Sequence, residues 1–227
     1  MSELTIDSLV SIKKNHVKYS GNKYFRRNAH VVELGGYGRK KTEALSVNYL
    51  SVSGRIAKRH FEKIPLKSAG PIEVNWHDVS RSDLGQTANL KFFGFDTEQA
   101  SAFDLIDAEA QRLKLMCFWV NENPLNNDAN AVRENMAEEG KDARVVSSIL
   151  VAMDTRLAEF FSSQSTVSLD GSDPDTALGI TAGTGYVGSK TIRLVGDTTI
   201  AYALQRPKWR NRKSEIDQLE DDWFSFG

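Results

Sequence analysis

Cysteine is nearly absent from this chain: Cys117 is the only one among 227 residues, so a disulfide within the chain is excluded. Because small secreted proteins often depend on disulfides, a cysteine-poor chain is more typical of a reducing, cytoplasmic setting. No stretch approaches the roughly 18 uninterrupted apolar residues that a membrane helix needs, so we expect no membrane partner. The first ten residues lack the positive charges, apolar run and small-residue cleavage site of a secretory signal, and we expect no such signal.

Patterns of metal ligands and catalytic residues are missing as well. The chain has four histidines, which are His16, His30, His60 and His77. None of them falls into the HxH or HExxH spacing that holds a metal ion. One acidic loop carries Asp170, Asp173 and Asp175, but it lacks the central glycine and terminal glutamate of a calcium loop. We therefore expect no cofactor and no metal, and a protein that is not an enzyme.

One glycine motif invites comparison with a nucleotide-binding turn. Gly183, Gly185 and Gly188 match the GxGxxG pattern, which resembles the turn of short-chain dehydrogenases. Such a turn follows a buried strand, opens a helix and has an acidic residue about 20 positions later. Here β-branched residues follow the motif from Thr191 to Ile200, and only 39 residues remain after Gly188. The context argues against a dinucleotide site and predicts a glycine loop.

Periodicity predicts the secondary structure. Up to residue 95 the chain consists of short extended segments, among them 44–56, 72–77 and 89–95. From the N-cap Asp96, apolar residues including Cys117 recur at spacings of three and four as far as Val120, and a second helical region runs from about Asp128 to Phe160. Two apolar runs, 190–195 and 198–204, flank a Gly-Asp pair and predict a β-hairpin.

These elements predict an α+β fold. Its core is a mostly antiparallel sheet or small barrel, with a two-helix hairpin inserted before a C-terminal β-hairpin. We expect one domain over residues 1–213, which is β-rich at 15–95, helical at 96–163, and a loop followed by the β-hairpin at 164–207. Residues 214–227 form an acidic, aromatic C-terminal tail.

Charge is distributed unevenly along the chain, although the formal net charge is only −1. Residues 1–67 hold 14 Lys or Arg against 5 Asp or Glu, whereas residues 68–189 hold 8 against 19. Two interpretations follow. The two regions attract each other within the fold or between subunits, or the first third forms an anion-binding face.

Aromatic residues are interleaved with the cations of this first third. The candidate nucleic-acid site consists of Lys13, Lys14, Lys18, Tyr19, Tyr24, Phe25, Arg26, Arg27, Arg39, Lys40 and Lys41. Cations neutralise phosphates and aromatic rings stack on unpaired bases, which is how proteins hold single strands without sequence preference. The alternative is an ordinary basic surface whose aromatic residues belong to the core.

The last residues combine acidic and aromatic side chains. We expect this tail to bind a protein partner through Asp221, Asp222, Trp223, Phe224 and Phe226. Residues 215–227 resemble the C-terminal tails of phage and bacterial single-stranded DNA-binding proteins, although this chain ends in Gly227 where that family has phenylalanine. The resemblance implies a tail that recruits partner enzymes and competes with DNA for a basic groove.

Together these features predict a non-enzymatic protein that binds single-stranded nucleic acid, of a phage or other mobile element, with the tail regulating access. We expect it to form homo-oligomers. The alternative is a self-assembling structural protein, such as a virion, scaffold or secretion-apparatus component, whose aromatic tail docks on a neighbouring subunit.

Overall fold

The computed structural model describes residues 10–13, 16–43, 47–56, 65–74, 113–120, 129–130, 132–164, 167–170, 179–182, 190–193, 199–210 and 215–222. Thirteen strands lie in these ranges: β1 (Val10–Ile12), β2 (His16–Tyr19), β3 (Asn22–Phe25), β4 (Gly36–Glu43), β5 (Val47–Arg55), β6 (Pro65–Ile72), β7 (Leu113–Val120), β8 (Ala143–Asp154), β9 (Val167–Asp170), β10 (Gly179–Ala182), β11 (Lys190–Arg193), β12 (Thr199–Arg210) and β13 (Glu215–Asp221). The β-rich character predicted for the first part of the chain therefore extends to its end.

Two short α-helices accompany the strands, α1 (Arg133–Glu139) and α2 (Thr155–Ser163). Helix α2 is amphipathic and buries Ala158 and Phe161 against the sheet. Within the described ranges, neither helix has the length and apolar composition needed to cross a membrane.

All the described strands join one sheet, and every pairing in it is antiparallel. The order is β1-β2-β3-β12-β8-β7-β6-β9-β10-β11, while β13 pairs with β12, β4 pairs with one end of β8, and β5 pairs with β4. The two twelve-residue strands, β8 and β12, lie side by side at the centre. The middle of the sheet is therefore built by segments that are far apart in the sequence.

The sheet curls into a half-barrel. In a flat sheet β3 and β7 would lie about 14 Å apart, because two strands separate them and neighbouring strands are spaced by about 4.8 Å. Yet the Tyr24 hydroxyl on β3 lies 3.5 Å from Cys117 Sγ on β7. The β2–β3 hairpin therefore folds over the inner face of the sheet.

Apolar side chains pack on both faces of the central strands. On the outer face, α1, α2 and the β4–β5 hairpin cover a first core that includes Phe118, Phe161 and Tyr202. On the inner face, the β2–β3 hairpin contributes Val17 and Tyr24 to a second core. Both cores are needed to bury the central strands, which the two cores share.

The helical hairpin predicted for residues 96–163 is wrong where β7 and β8 lie. Leu113, Cys117 and Val120 have helical spacing, but the strand buries both faces, with Phe118 in the first core and Leu115 in the second. A run that is apolar on both faces has no period of two, so its sequence cannot be told from a buried helix. Helix is present at α1 and α2, and residues 96–112 lie outside the described part of the chain.

The predicted loop at 164–181 and the β-hairpin at 190–204 also need correction. β9 and β10 fall within the predicted loop, and β11 pairs with β10. β12 pairs with β8, β3 and β13 in place of β11. The local turn signal was overridden because β12 is an apolar strand that buries its side chains between β3 and β8.

The segment predicted to be a C-terminal tail starts as part of the sheet. β13 pairs along β12, and its side chains Ile216 and Leu219 are buried in the first core. This strand has two buried residues among charged ones, and that composition hid it from the sequence analysis. Residues 223–227, which hold the predicted aromatic anchors, lie outside the described residues.

A close backbone approach fixes the register of the β4–β5 hairpin. The ladder has an irregularity between Tyr37 and Gly38, and a Cβ atom at Gly38 would lie only 2.1 Å from the Ser51 carbonyl oxygen. Any larger residue at this position would push the strands apart. Gly38 therefore holds the two strands in the one alignment that the structure has.

Candidate nucleic-acid interface and adjoining cavity

Strand β4 presents its consecutive cations to opposite sides of the hairpin, as the alternation of side chains requires. Lys40 lies opposite the buried Leu50 and points inward, where only 16% of its side chain is exposed. Lys41 and Arg39 lie opposite Tyr49 and Ser51 on the outward side, and both cations are exposed. The structure thus separates a set of residues that the sequence analysis treated as one site.

Arg27 completes a group of three cations around one aromatic ring. Its guanidinium carbon lies 6.0 Å from the centroid of the half-buried Tyr49 ring, within the range of a cation–π interaction. Tyr49 lies directly across the ladder from Lys41, with Arg39 two residues along the same strand. We call Arg27, Arg39, Lys41 and Tyr49 the outer basic face. The Arg39 guanidinium also lies 3.4 Å from the Asp142 carboxylate, an exposed pair that contributes little to stability.

A second group of cations gathers on the β1–β3 strands. Lys18 and Lys23 lie directly opposite each other in the β2–β3 ladder. Burial lowers the pKa of His16, and the nearby charges of Lys23, Lys18, Lys13 and Arg26 lower it further. We call these four cations, with His16 between them, the hairpin cluster. Like charges directly opposite each other in a ladder repel, so the cluster concentrates positive charge on these strands.

The aromatic residues predicted to stack on bases have different surroundings. Phe25 is 2% exposed and stacks on Tyr202 with ring centroids 5.7 Å apart, so it belongs to the first core. Tyr24 is also buried and, with the half-buried Tyr19, faces the inside of the half-barrel. Phe25 is therefore not placed to meet a base on the protein surface.

Two other predicted contacts have structural surroundings of their own. Arg26 is buried, and its Nη1 donates a hydrogen bond to the Lys13 carbonyl oxygen at 2.6 Å, which ties the end of β3 to the end of β1. Lys14 lies outside the described residues. Arg26 therefore acts on the site mainly through its charge.

Asp222 forms the most buried ionic contact of the site region. Its Oδ2 accepts a hydrogen bond from Arg144 Nε at 2.7 Å and lies 3.2 Å from Lys40 Nζ. Burial lowers the pKa of Lys40, and the Asp222 carboxylate opposes that shift. Lys40, predicted to contact phosphate, is therefore bound to an acid of the predicted tail.

The other described acids of the predicted tail are held by the neighbouring strand or its side chains. Asp217 pairs with Arg210 at 2.7 Å, and Glu220 pairs with Arg206 at 3.0 Å. Asp221 accepts a hydrogen bond from Gln205 Nε2 at 2.9 Å. These acids are thus part of the β12–β13 ribbon.

A cavity of about 360 Å³ opens between the β2–β3 hairpin and the strands β7, β8 and β12. Its walls include the aromatic side chains Tyr19, Tyr24 and Trp119, and its polar lining includes Ser148 and Gln205. We call it the half-barrel cavity. Its size lies within the range of about 300–1,000 Å³ that is usual for small-molecule sites.

A chain of neutral polar groups runs along the cavity wall. Cys117 Sγ lies 3.5 Å from the Tyr24 hydroxyl and 3.4 Å from Ser148 Oγ. Burial, with a contribution from the nearby thiol, raises the pKa of Tyr24, and burial raises the pKa of Cys117. Both groups are therefore protonated at neutral pH, which makes Cys117 a packing residue and a poor nucleophile.

A β-bulge brings an additional polar side chain to the cavity. Ala203 of β12 pairs with Ser148 and Leu204 pairs with Val146, so Ser147 is an extra residue in β8. Ser147 and Ser148 consequently both line the cavity. Bulges redirect side chains and are common beside functional sites.

Comparisons of the chain with protein-family models, with curated protein sequences and with solved structures give no match. In the described ranges, no group of three or more His, Cys, Asp or Glu side chains is arranged to hold a metal ion. Asp173, Asp175 and the glycine motif at 183–188 lie outside those ranges. The site is therefore interpreted from its geometry and charge alone.

Sequence reasoning missed two components of this site. Tyr49 follows Lys41 by eight residues, and only the pairing of β4 with β5 brings their side chains together. Cavity residues such as Trp119 and Gln205 come from strands that are far apart in the sequence and lie on either side of β8 in the sheet. The alternation of Tyr49 with the apolar Leu50 was a usable signal for an outward-facing ring.

Proposed function

We propose that this protein binds single-stranded nucleic acid, without catalysing a reaction, through the hairpin cluster and the outer basic face. The phosphates of the strand contact Lys13, Lys18 and Lys23 on the hairpin and Lys41 on the face. An unpaired base stacks on Tyr49 beside the Arg27 guanidinium. The two groups adjoin because Arg26 and Arg27 are consecutive residues.

The observation that carries this proposal is the placement of Lys18 opposite Lys23. Such a pair is unfavourable in an isolated hairpin by up to about 1 kcal/mol, and Lys13 and Arg26 add charge of the same sign. A cluster of like charges is typical of an anion-binding site. A phosphate between the two ammonium groups removes the repulsion, which favours a polyanion as the ligand.

The accessible aromatic ring favours a single strand over a duplex. A stacked base contributes about 1–3 kcal/mol, and only unpaired bases offer their faces. Tyr49 is half-buried, so its ring is held in place while part of it faces solvent. The cation–π contact with Arg27 keeps a positive charge beside the stacked base.

The proposal includes a regulatory role for the C-terminal end, but only for residues 223–227. Deleting residues 214–227 would remove Ile216 and Leu219 from the first core, so that deletion would mainly measure stability. Deleting residues 223–227 leaves β13 and Asp222 in place. We expect this shorter deletion to tighten oligonucleotide binding if the aromatic segment competes for the site, and unchanged binding would contradict that role.

The proposal is tested by measuring the fluorescence anisotropy of a labelled oligonucleotide at a series of salt concentrations. We expect the logarithm of the association constant to fall with the logarithm of salt, by about 0.7 for each phosphate contact. We also expect a duplex of the same length to bind more weakly. Absence of binding at low salt would overturn the proposal.

The substitution Lys18→Glu separates binding from folding. It replaces a repulsive cross-strand pair by an attractive one, so we expect the free energy of unfolding in urea to stay constant or rise by up to about 1 kcal/mol. Oligonucleotide affinity should nevertheless fall several-fold with a shallower salt dependence. Lys67→Glu on β6 is the matched control, since Lys67 is an exposed strand lysine outside both basic groups. Equal affinity for the two variants would contradict the proposal.

A further inference from the structure

The half-barrel cavity holds a buried polar atom whose hydrogen-bonding capacity is unused. Gln205 is 6% exposed, and its Nε2 donates to Asp221 Oδ1 at 2.9 Å. Its Oε1 has no hydrogen-bond partner in the part of the chain that the structure describes. Buried polar atoms are nearly always paired, because an unpaired one loses its hydration without compensation. Gln205 lines the cavity, so an N–H or O–H group of a ligand there is a suitable partner.

The remaining walls of the cavity favour a flat, neutral ring. Tyr19, Tyr24 and Trp119 contribute aromatic surface. The Tyr24 hydroxyl is held by Cys117, which fixes the orientation of its ring. Asp222 and Asp221 also border the cavity. The charge of Asp222 is neutralised by Arg144 and Lys40, whereas Asp221 accepts a hydrogen bond from the neutral Gln205 amide. The cavity therefore offers aromatic contacts, the Gln205 Oε1 acceptor, which has no partner among the described residues, and the Asp221 carboxylate, and all of these suit a ring that donates hydrogen bonds.

The cavity also adjoins the hairpin cluster. Lys23 lines it, and Lys18 lies directly across the ladder from Lys23. Strand alternation directs both lysine side chains to the side of the hairpin opposite to Tyr24, so a ligand whose ring enters the cavity and whose anionic group remains outside would meet Lys23 at the rim. A nucleotide has this shape, with a planar base that donates hydrogen bonds and a phosphate about one sugar away.

We propose that the half-barrel cavity binds one unpaired nucleobase, which packs against the aromatic wall and donates an N–H hydrogen bond to Gln205 Oε1. This inference rests on the proposed function, because the neighbouring phosphates are those bound by Lys18 and Lys23. Proteins that extract a single base from a strand recognise it in the same manner, by aromatic contacts and edge hydrogen bonds. Binding in the cavity adds recognition of one base to the sequence-tolerant contacts of the basic surface.

The experiment compares two mononucleotides with the full chain by titration calorimetry. Adenosine 5′-monophosphate carries an exocyclic amino group, and purine riboside 5′-monophosphate has the same ring system without that donor. A site that needs the donor rejects the analogue strongly, so we expect at least a tenfold weaker binding of purine riboside monophosphate. Equal affinity for the two mononucleotides, or no binding of either, would overturn the inference.

Variants at the cavity show whether Gln205 causes the discrimination. Gln205→Leu should bring the affinity ratio of the two mononucleotides close to one, a result that a general loss of stability would not produce. Gln218→Leu is the matched control, because Gln218 is an exposed glutamine on β13 that bonds Glu220, and the ratio should stay as in the wild type. Ala203→Phe, which fills the cavity from β12, should abolish mononucleotide binding. An unchanged ratio in Gln205→Leu would overturn the inference.

Oligonucleotide binding distinguishes failure of this inference from failure of the proposed function. If a base of the strand occupies the cavity, adenosine monophosphate should compete with the oligonucleotide and lower its apparent affinity. Ala203→Phe should weaken oligonucleotide binding for the same reason. Salt-dependent oligonucleotide binding that is unaffected by Ala203→Phe would overturn the inference and leave the proposed function standing. Mononucleotide discrimination without oligonucleotide binding would overturn the proposed function and support a cavity for free nucleotides.

Discussion

The cations around Asp222 and those around His16 have opposite surroundings. Lys40 and Arg144 converge on one buried carboxylate, and their charges are neutralised within the fold. In the hairpin cluster, cations converge on one another, and Lys18 lies directly opposite Lys23. The first region stabilises the protein through a buried ionic contact, whereas the second is the region that we propose to bind an external anion. The cations of the first third of the chain therefore lie in two different environments.

The largest expected effect is on stability, at the neutralised region. Asp222→Ala leaves the buried Arg144 guanidinium without its carboxylate, and we expect a loss of about 3 kcal/mol in the free energy of unfolding. Asp217→Ala removes an exposed pair with Arg210 and should lose less than about 1 kcal/mol. Urea denaturation of both variants checks the difference. Equal losses would show that burial of the Asp222 contacts does not matter.

A smaller effect separates the two lysines of β4. Lys40→Ala removes a charged contact of Asp222 and should lower the free energy of unfolding by about 1.5 kcal/mol with little change in oligonucleotide affinity. Lys41→Ala lies on the outward side and should change stability by less than about 0.5 kcal/mol while weakening oligonucleotide binding. Both quantities are measured on each variant, by urea denaturation and anisotropy. Weaker binding in Lys40→Ala alone would reverse the assignment of the two regions.

The smallest expected effect is the pH dependence that His16 contributes. Its pKa is lowered in the folded protein, so the folded state binds fewer protons than the unfolded state between that lowered value and about 6.5. The stability contribution is therefore complete above about pH 6.5 and is lost as the pH falls through the folded-state pKa. Urea denaturation between about pH 5 and 8 should show this slope.

Two variants sharpen the His16 prediction. His16→Gln removes the titrating group, so the slope should become flatter than in the wild type. Among the neighbouring cations, Lys23 has the largest effect on the pKa of His16. Lys23→Gln removes that charge, and NMR titration should then show a His16 pKa closer to its ordinary value. A His16 pKa that is unaffected by Lys23→Gln would contradict the electrostatic effect of Lys23 on His16.

The sequence predicted the local features of this fold better than its long-range pairing. The antiparallel character and the strand at 44–56 follow from alternation, and β5 lies within those residues. β7 and β8 were taken for helix because both their faces are buried, which removes the period of two. The partners of β12 could not be predicted, since pairing with β8 depends on burial across more than fifty residues of chain.

The candidate site was predictable only as a composition of residues. The cations from Lys13 to Lys41 were identified, but their exposure depends on which side of a strand each one occupies. Lys40 is directed inward by its position opposite Leu50, a fact that no local pattern contains. The half-barrel cavity had no sequence signal, because its walls come from seven strands that are spread from β2 to β13 along the chain.

The close approach at Gly38 also limits how this surface can change over generations. A single-residue insertion in β4 before Lys40 would turn the following side chains of that strand to the other side, placing Lys41 inside and Lys40 outside. Point substitutions at outward positions leave the alignment untouched, whereas a shift by one would exchange the inward-facing lysine with the outward-facing one. Variation in related chains should therefore appear as substitutions, or as insertions of two residues, in this hairpin. We therefore expect the number of residues in this hairpin to change only by an even number.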